Sequence, residues 1–421
     1  MIWLTAFGGF TLFVDPYDML STPQIDGFNA RKTRAHEDGY RVRVGHRLVS
    51  TDSGTIILGS SRVADGFPRD LPDWEGGWEN LGMAGTSAYE LAHASTLAAR
   101  NDDINCVMIG MDLREFGANA NTQATYWITP MSGDHPLISM AKLALSPHAF
   151  ARALQTVIDN ATNGSDVKWE NAYREDGLRA RFEDEITKRY RYYSNYEYDS
   201  ERVAYLFRGI DALLAQGKQV VLFIHPVHSW QEEAAQHVGA NSSEIAFRND
   251  VVAQLKNRPD QHNVQSACFD GPSLQVWDFA GFQDVSLTAP PGEDGLTPNP
   301  WYYVPAHYRP TLGAAILDRI SGTPGNAPVD QTFGFRLSAV TIEENLASFE
   351  QRHQDWLNSE ETWMQYVTAA FNRLDENPPE PEAQPRVFLN ERDHQELEAI
   401  VRRIEDTARR ENILGVSVDP G

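Results

Sequence analysis

Four short apolar runs constrain the fold of this chain more than any other feature of its sequence. They occupy residues 54–59, 104–110, 219–224 and 274–279, and the last of them, a fourth candidate, also contains Gln275 and Asp278. A short apolar run without polar alternation, rich in β-branched residues, is typical of a parallel strand that is buried on both faces. The four runs therefore predict the strands of one mostly parallel sheet.

Helical stretches alternate with these runs. Five of them are predicted, at residues 87–100, 147–160, 200–216, 243–256 and 310–320. Strands that alternate with helices favour a parallel sheet covered by helices on both faces. We therefore expect an α/β fold in which three layers, α/β/α, surround a mostly parallel sheet.

Composition changes along the chain suggest further segments around this α/β domain, which we place at residues 21–335. A polar insertion at about 161–200 is rich in Arg, Glu and Tyr, and we interpret it as a lid or a solvated excursion rather than sheet. An amphipathic helical extension follows at 336–374. An acidic, proline-rich linker at 375–390 precedes a charged C-terminal helix and tail at 391–421.

The N-terminal segment, residues 1–20, opens with an apolar stretch that contains no Lys or Arg. The charged start of a signal peptide is therefore missing, and the stretch is shorter than the ~20 residues that span a bilayer. Three interpretations stay open: a clipped membrane anchor, a signal-anchor remnant, and a buried first strand or helix. We favour an anchor remnant that leads into the domain.

The charge balance and the cysteine count exclude several classes of function. With 36 Lys and Arg against 59 Asp and Glu, the net charge is -23. Such a surface repels phosphate backbones, which argues against nucleic-acid binding and against electrostatic docking on anionic lipid. Two cysteines make neither a disulfide framework nor a metal cluster. Cys106 is expected to be buried, and a single bridge between Cys106 and Cys268 stays open.

Polar residues that could carry chemistry follow the first predicted strand, where the chain reads Gly59-Ser-Ser-Arg62. The carboxyl edge of a parallel sheet is where ligands bind, and a nucleophilic serine at that edge can reach both substrate and base. Ser61 is therefore a candidate nucleophile, and Arg62 beside it is a candidate contact to substrate or oxyanion. The alternative is that these serines only cap a turn or a helix.

Three further segments follow in order along the chain. Gly85, in Asn80-Leu-Gly-Met-Ala-Gly-Thr-Ser87, could direct a backbone N–H at an oxyanion, or could lie in a plain turn. Asp112 and Arg114 follow the second predicted strand and could contact substrate or form a structural ion pair. His307, in a loop crowded with aromatic residues, has the side chain of a general base.

Two histidines follow the third predicted strand, at His225 and His228, and could contact substrate at the same edge. Their spacing suggests a metal site, but no third or fourth ligand accompanies them. We therefore expect neither a metal nor another cofactor.

The order Gly-x-Ser, Asn-x-Gly-x-x-Gly, Gly-x-Asp and a late His resembles the conserved blocks of SGNH (GDSL-like) hydrolases. The resemblance is closest to uncharacterised bacterial envelope proteins similar to the SGNH-like proteins of exopolysaccharide O-acetylation systems. It covers about residues 10 to 365. Its motifs are Val-Asp-Pro-Tyr (14–17), Ile-Leu-Gly-Ser-Ser-Arg (57–62), Pro-Val-His (226–228), Trp-Asp-Phe (277–279) and His-Tyr-Arg-Pro (307–310).

The resemblance implies an SGNH-type α/β/α fold, with Ser61 as nucleophile and His307 as base. It also implies oxyanion donors from the Ser61 amide and Gly85. The sequence departs from the family at three positions. Met111 stands where an asparagine donor is usual, Val304 stands where an acid usually precedes the histidine by three residues, and Ser60 replaces an aspartate.

Loss of one oxyanion donor typically raises a barrier by about 2.7–4 kcal/mol. Loss of the acid that orients the histidine has lowered rates by ~10⁴-fold. Asp278 and Asp284 are the candidates to replace that acid in space.

The resemblance implies a serine esterase or O-acetyltransferase that acts on envelope polysaccharide or exopolysaccharide. Its partners would be an acylated glycan, with Trp301 and Tyr303 available for stacking on sugar rings, and a membrane-bound acyltransferase. It would lie on the periplasmic face of the bacterial envelope, tethered by the N-terminal segment. Two alternatives stay open: an inactive SGNH-like protein that binds polysaccharide or scaffolds an assembly, and a structural envelope protein without a ligand.

Overall fold

The computed structural model describes residues 2–20, 22–35, 39–69, 71, 74–162, 178–258, 268–293, 297–322, 329, 332–359 and 362–379. Within these residues there are eight strands: β1 (Thr55–Gly59), β2 (Trp78–Gly82), β3 (Cys106–Met111), β4 (Gln219–Ile224), β5 (Leu274–Asp278), β6 (Tyr302–Val304), β7 (His307–Tyr308) and β8 (Phe335–Arg336). Six of them form one sheet in the spatial order β2-β1-β3-β4-β5-β8, and β6 and β7 form a separate hairpin.

The first five strands of the sheet are parallel, and β8 joins its edge antiparallel to β5. Every residue of β1 to β4 is buried. Because successive side chains in a strand point to opposite faces, burial of all of them means that both faces of the sheet are covered. The protein is therefore α/β with a mostly parallel sheet, as the four apolar runs predicted, and its layering is compatible with α/β/α.

Strand β2 was not predicted, because its sequence Trp-Glu-Asn-Leu-Gly carries two polar residues. Both are buried and have distant partners. Glu79 accepts hydrogen bonds from Arg47 at 2.7 and 2.9 Å and from Arg43 at 3.3 Å. The Asn80 amide nitrogen donates to the carbonyls of Val63 and Phe67. Buried polar groups are tolerated when they are paired in this way.

The described residues contain thirteen α-helices. They are α1 (Ile2–Val14), α2 (Tyr40–Ser50), α3 (Ser61–Gly66), α4 (Ala88–Ala98), α5 (Pro136–Ala144), α6 (Pro147–Ala161), α7 (Leu178–Ser194), α8 (Glu201–Ala215), α9 (Ser229–His237), α10 (Asn241–Lys256), α11 (Pro310–Ser321), α12 (Ile342–Leu357) and α13 (Thr362–Glu376). All five helices expected from the sequence are among them, with ends shifted by a few residues.

The described part of the polar insertion consists mainly of helix α7. Its apolar side of Leu178, Phe182 and Ile186 is buried, and the helix packs against α9, β6 and α13. The segment is therefore attached to the domain next to the hairpin that carries His307. Residues 163–177, also within the expected insertion, lie outside the described residues.

The amphipathic extension packs on the α/β domain. Trp356, Val367 and Phe371 are buried and belong to the same hydrophobic cluster as the central sheet. Helix α13 ends at Glu376, inside the expected linker, and Asp375 accepts hydrogen bonds from Tyr190 and His237. The rest of the linker from 380 onwards, and the charged C-terminal helix, lie outside the described residues.

The apolar N-terminal stretch forms helix α1, which packs against α5 and α6. The rings of Phe7 and Phe150 stack at 3.8 Å between centroids. Among the described residues, no helix combines the length and the apolar character that crossing a bilayer requires.

A disulfide joins Cys106, at the start of β3, to Cys268, just before β5. Cys106 is fully buried, as expected. The Gln219 side chain lies between the two strands, where its oxygen accepts hydrogen bonds from the backbone N–H groups of Cys268 and Phe269. The bridge therefore ties the segment that leads into β5 to the centre of the sheet.

Candidate functional site

Ser61 and His307 are 246 residues apart in sequence and meet at the carboxyl edge of the sheet. The distance between Ser61 Oγ and His307 Nε2 is 2.9 Å. Ser61 is the first residue of helix α3, directly after β1, and His307 begins β7 of the small hairpin. Hydrogen-bond contact between a hydroxyl and an imidazole is the geometry that activates a serine as a nucleophile.

Close glycine contacts fix the helix that begins at Ser61. Gly59 has a φ of +153°, and a Cβ there would lie 2.4 Å from the Val63 side chain. A Cβ on Gly82, at the end of β2, would lie 2.3 Å from the backbone nitrogen of Ala64. Because neither contact leaves room for a side chain, α3 sits directly on the ends of β1 and β2.

Arg62 connects the serine turn to the histidine hairpin. Its Nε donates to the carbonyl of Ala306 at 2.8 Å, and its Nη1 lies 3.3 Å from Asp112 Oδ2. Ser60 Oγ donates to the same carboxylate oxygen at 3.2 Å. Arg62 and Asp112 were both predicted as site residues. Arg62 joins the serine turn to the hairpin, and Asp112 binds Arg62 and Ser60.

Asp112 remains an anion in this network. Burial alone would raise the pKa of its carboxyl group, but the nearby guanidinium groups of Arg62 and Arg114 bring that pKa below its usual value. Its other oxygen accepts from the Arg114 backbone N–H at 2.8 Å, which caps the short 3-10 helix after β3. The ion pair of Asp112 is therefore made with Arg62, whereas the sequence suggested Arg114, which contributes its backbone N–H instead.

Gly85, the candidate oxyanion donor, has a φ of +62°. A Cβ on it would lie 3.1 Å from the Gln123 amide nitrogen and 3.9 Å from Arg114 Nη2. The structure therefore brings Arg114 close to Gly85, as expected of two segments that follow parallel strands at the same edge of the sheet.

Arg41 of helix α2 supports the Gly85 loop and was not recognised from the sequence. Its Nε and Nη2 donate to the two carboxylate oxygens of Glu90, at 2.5 and 2.9 Å. The same guanidinium donates to the carbonyls of Ala84 and Gly85, both at 3.1 Å. Arg41 and Glu90 are almost fully buried, so each depends on the other for charge compensation.

We expect Arg41→Met to lower the free energy of unfolding by about 3 kcal/mol, since it leaves Glu90 buried without its cation. Urea unfolding followed by tryptophan fluorescence measures this. Lys142→Met is the matched control, because Lys142 pairs with Asp134 on the surface and such pairs contribute about 0–1 kcal/mol. Equal stability of the two variants would show that Arg41 does not support this loop.

The electrostatic surroundings of His307 keep its imidazole neutral. Burial is the main cause, and together with Arg62 and Arg189 it lowers the pKa of His307 to about 3, against the opposing influence of Glu185 and Asp112. Glu185 and Arg189 belong to helix α7, so the insertion contributes charges to the site. A neutral imidazole can accept the proton of Ser61 at neutral pH, but the nearby cations disfavour the imidazolium that results.

Asp65 is the carboxylate at the His307 ring. Its Oδ2 lies 4.0 Å from His307 Nε2, and its side chain is almost fully buried. Asp65 is one helical turn after Ser61 on α3, so both residues face the same ring. It was not predicted, although its spacing from Ser61 was visible in the sequence.

The two aspartates suggested as replacements for the missing acid have other roles. Asp278 is buried, and its oxygens accept from Arg248 Nε at 2.7 Å and from the Ala280 backbone N–H at 3.0 Å. Asp284 is exposed. Val304, at the usual position of the acid, is paired with His307 in the hairpin, and Met111, at the usual position of the asparagine, is buried in the core.

His225 and His228 are held by contacts within the protein. His225 Nδ1 lies 2.9 Å from the Tyr308 hydroxyl. His228 Nε2 lies 2.8 Å from the Thr288 carbonyl, and its Nδ1 accepts from the backbone N–H of Trp230. The backbone N–H of His228 donates to the Pro305 carbonyl. His228 therefore supports the turn before His307, and both of its ring nitrogens are engaged in structural contacts rather than being available to a substrate.

The aromatic residues around His307 divide into two groups. Tyr302 and Tyr308 of the hairpin are fully buried and belong to the hydrophobic core, whereas Trp301 and Tyr303 are partly exposed. The Arg309 guanidinium lies 4.4 Å from the centre of the Tyr303 ring. Trp301 and Tyr303, the two predicted stacking residues, are therefore the accessible members of the cluster.

Comparison of the chain with known protein families, with functionally characterised proteins and with solved structures finds no match.

Proposed function

We propose that this chain is an SGNH-like serine esterase or O-acyltransferase that acts on acylated polysaccharide of the bacterial envelope through an acyl intermediate on Ser61. The observation that carries the proposal is the 2.9 Å contact between Ser61 Oγ and His307 Nε2 at the carboxyl edge of a parallel sheet. The order of the sequence blocks supports the family assignment.

In the first half of the reaction, Ser61 Oγ forms a bond to the acyl carbonyl carbon while its proton moves to His307 Nε2. The bond between that carbon and the leaving oxygen then breaks, and the alcohol departs with the proton from His307. In the second half, a water or a sugar hydroxyl attacks the acyl-Ser61 ester. His307 Nε2 takes the proton of this attacking group and returns it to Ser61 Oγ. Water gives hydrolysis, and a sugar hydroxyl gives transfer.

Oxyanion stabilisation in this proposal comes from the Ser61 and Gly85 backbone N–H groups. Met111 offers no donor, so fewer donors are available than in a complete SGNH site. Asp65 replaces the usual acid in part: at 4.0 Å its carboxylate stabilises an imidazolium through space, without a hydrogen bond that orients the ring. This arrangement predicts a slow enzyme rather than an efficient one.

An acylated glycan as substrate is supported by the partly exposed rings of Trp301 and Tyr303 next to His307, since aromatic rings stack on sugar faces. The Cys106–Cys268 disulfide supports an oxidising compartment such as the periplasm. A membrane-bound acyltransferase that supplies acyl groups is part of the same proposal.

A second candidate function is glycan binding without turnover. It is favoured by one observation: Arg62 and Arg189 act against protonation of His307, which the reaction requires. In this case Trp301 and Tyr303 would bind the sugar, and the Ser61–His307 contact would have no catalytic role.

The test is the reaction of the full chain with p-nitrophenyl acetate and with a fluorescent phosphonate that labels activated serines. We expect p-nitrophenol release above background and a single adduct whose peptide mass maps to Ser61. Ser61→Ala should lose the label and at least about 10³-fold of turnover.

Ser60 provides an internal control for the labelling, because it neighbours Ser61 and its hydroxyl donates to Asp112. Label on Ser60, or equal turnover by wild type and Ser61→Ala, would contradict acyl-enzyme chemistry. Retention of an O-acetylated polysaccharide on the inactive protein would then favour the binding function.

A further inference from the structure

Exposed apolar side chains are concentrated on one helical layer of the protein. Of the twelve exposed large apolar residues in the described part of the chain, nine lie on or beside helices α1, α5 and α6. We call these nine the apolar patch: Phe7, Phe13, Ile25, Trp127, Leu137, Ile138, Leu145, Leu154 and Ile158. Large exposed patches of this kind mark interaction surfaces.

The three helices form one packed unit. Helix α1 contacts both α5 and α6, and the Cβ of Ala144 would lie only 3.4 Å from a Cβ on Gly8. On α5 the exposed Leu137, Ile138 and Leu145 recur at helical spacing, so they share one face of the helix. Leu154 and Ile158 are four residues apart on α6 and share a face in the same way.

The charge of these helices differs from that of the rest of the protein. Residues 2–14 and 136–158 contain no Asp or Glu, although these types account for 59 of the 421 residues. The second segment carries Lys142, His148 and Arg152. Lys142 lies at the surface and pairs with Asp134 from the preceding loop. Asp26 follows Ile25 and Asp159 follows Ile158, so the patch as a whole is close to neutral on a chain with a net charge of -23.

We propose that the apolar patch rests on the surface of a phospholipid bilayer that contains anionic headgroups. Apolar residues on one helix face with basic residues beside them are the features of helices that lie in the membrane interface, and tryptophan favours that depth. A second copy of the chain fits less well, since it would place the basic side chains of one patch against those of the other. The overall acidity of the chain makes apolar burial the main contribution, so we expect only modest sensitivity to salt.

This proposal predicts that the full chain co-sediments with phosphatidylcholine vesicles, and more strongly when they contain phosphatidylglycerol. The triple variant Leu137→Glu, Ile138→Glu, Leu154→Glu should reduce the fraction bound to vesicles at least about 10-fold. The reason is that it places three negative charges on the face that would enter the bilayer. The double variant Ile245→Glu, Val340→Glu is the control. It alters exposed apolar residues elsewhere, at 44% and 89% exposure, and should bind like wild type.

Circular dichroism and melting curves establish that all variants are folded. Equal vesicle binding by wild type and the triple variant, or no binding by wild type, would overturn the proposal. Light scattering after gel filtration tests whether a second copy of the chain covers the patch instead of a bilayer. A dimer that forms with increasing concentration and is abolished in the triple variant, together with no vesicle binding, would assign the patch to a second copy. None of these outcomes depends on Ser61 chemistry, so the patch and the proposed enzyme function stand or fail separately.

Discussion

Replacing His307 with alanine is expected to lower kcat/KM for p-nitrophenyl acetate by about 10³- to 10⁴-fold. The imidazole is the group in hydrogen-bond contact with Ser61 Oγ, so without it the hydroxyl has no base at that distance in the described site. Stopped-flow or steady-state measurement of p-nitrophenol release gives the ratio directly.

The pH profile tests the same histidine in the wild-type protein. The pKa of His307 is lowered to about 3, mainly by burial, whereas an ordinary histidine titrates near 6.5. The base is therefore already neutral well below pH 6, and kcat/KM should stay constant from neutral pH to about pH 5. An acid limb centred near pH 6.5 would show that the imidazole is not shielded as the structure indicates.

Folding has to be monitored at each pH, because other buried histidines respond to acid as well. Burial lowers the pKa of His46 and His93 to about 4 and the pKa of His225 and His228 to about 3. The unfolded chain binds protons at these residues below about pH 6.5 and the folded chain does not, so each of them reduces stability as the pH falls through that range. Tryptophan fluorescence at each pH separates loss of the base from loss of the fold.

Removing the disulfide is expected to lower the free energy of unfolding by up to about 5 kcal/mol. The bridge closes a loop of 162 residues, and its loss releases that constraint from the unfolded chain. The variant Cys106→Ala, Cys268→Ala avoids burying a hydroxyl at Cys106, which is fully buried. Urea unfolding in the absence of reductant compares it with wild type.

Reductant provides the control for this experiment. A phosphine reductant should shift the urea midpoint of wild type to that of the double variant and leave the variant unchanged. A wild-type midpoint that does not respond to reductant would show that the bridge does not contribute to stability.

The parallel sheet was predictable because β1, β3 and β4 consist mainly of consecutive apolar residues, and β5 keeps Leu274, Val276 and Trp277. Strand β2 was not, since Glu79 and Asn80 are buried through contacts with residues up to 37 positions away. Sequence periodicity shows the polarity of a residue but not whether a distant partner satisfies it. The same limit explains why the sequence could not decide whether Cys106 and Cys268 form a disulfide.

The two central residues of the site were predictable from the order of sequence blocks, but their supports were not. Arg62 was assigned to substrate, whereas its guanidinium binds the carbonyl of Ala306, 244 residues further along the chain. Arg41 gave no signal, because a buried arginine resembles a surface arginine in sequence. Asp65 was the exception, since it follows Ser61 by one helical turn and could have been found by that spacing alone.

The Arg62 contact to the hairpin has a consequence for how this chain can change over evolution. Serine and histidine are encoded far apart, yet one side chain next to the serine fixes the backbone next to the histidine. Helices outside the sheet that lie between them, such as α5 and α6, can be lengthened, shortened or exchanged as long as that contact persists. Changes in these outer helices are therefore separable from preservation of the contact between Ser61 and His307.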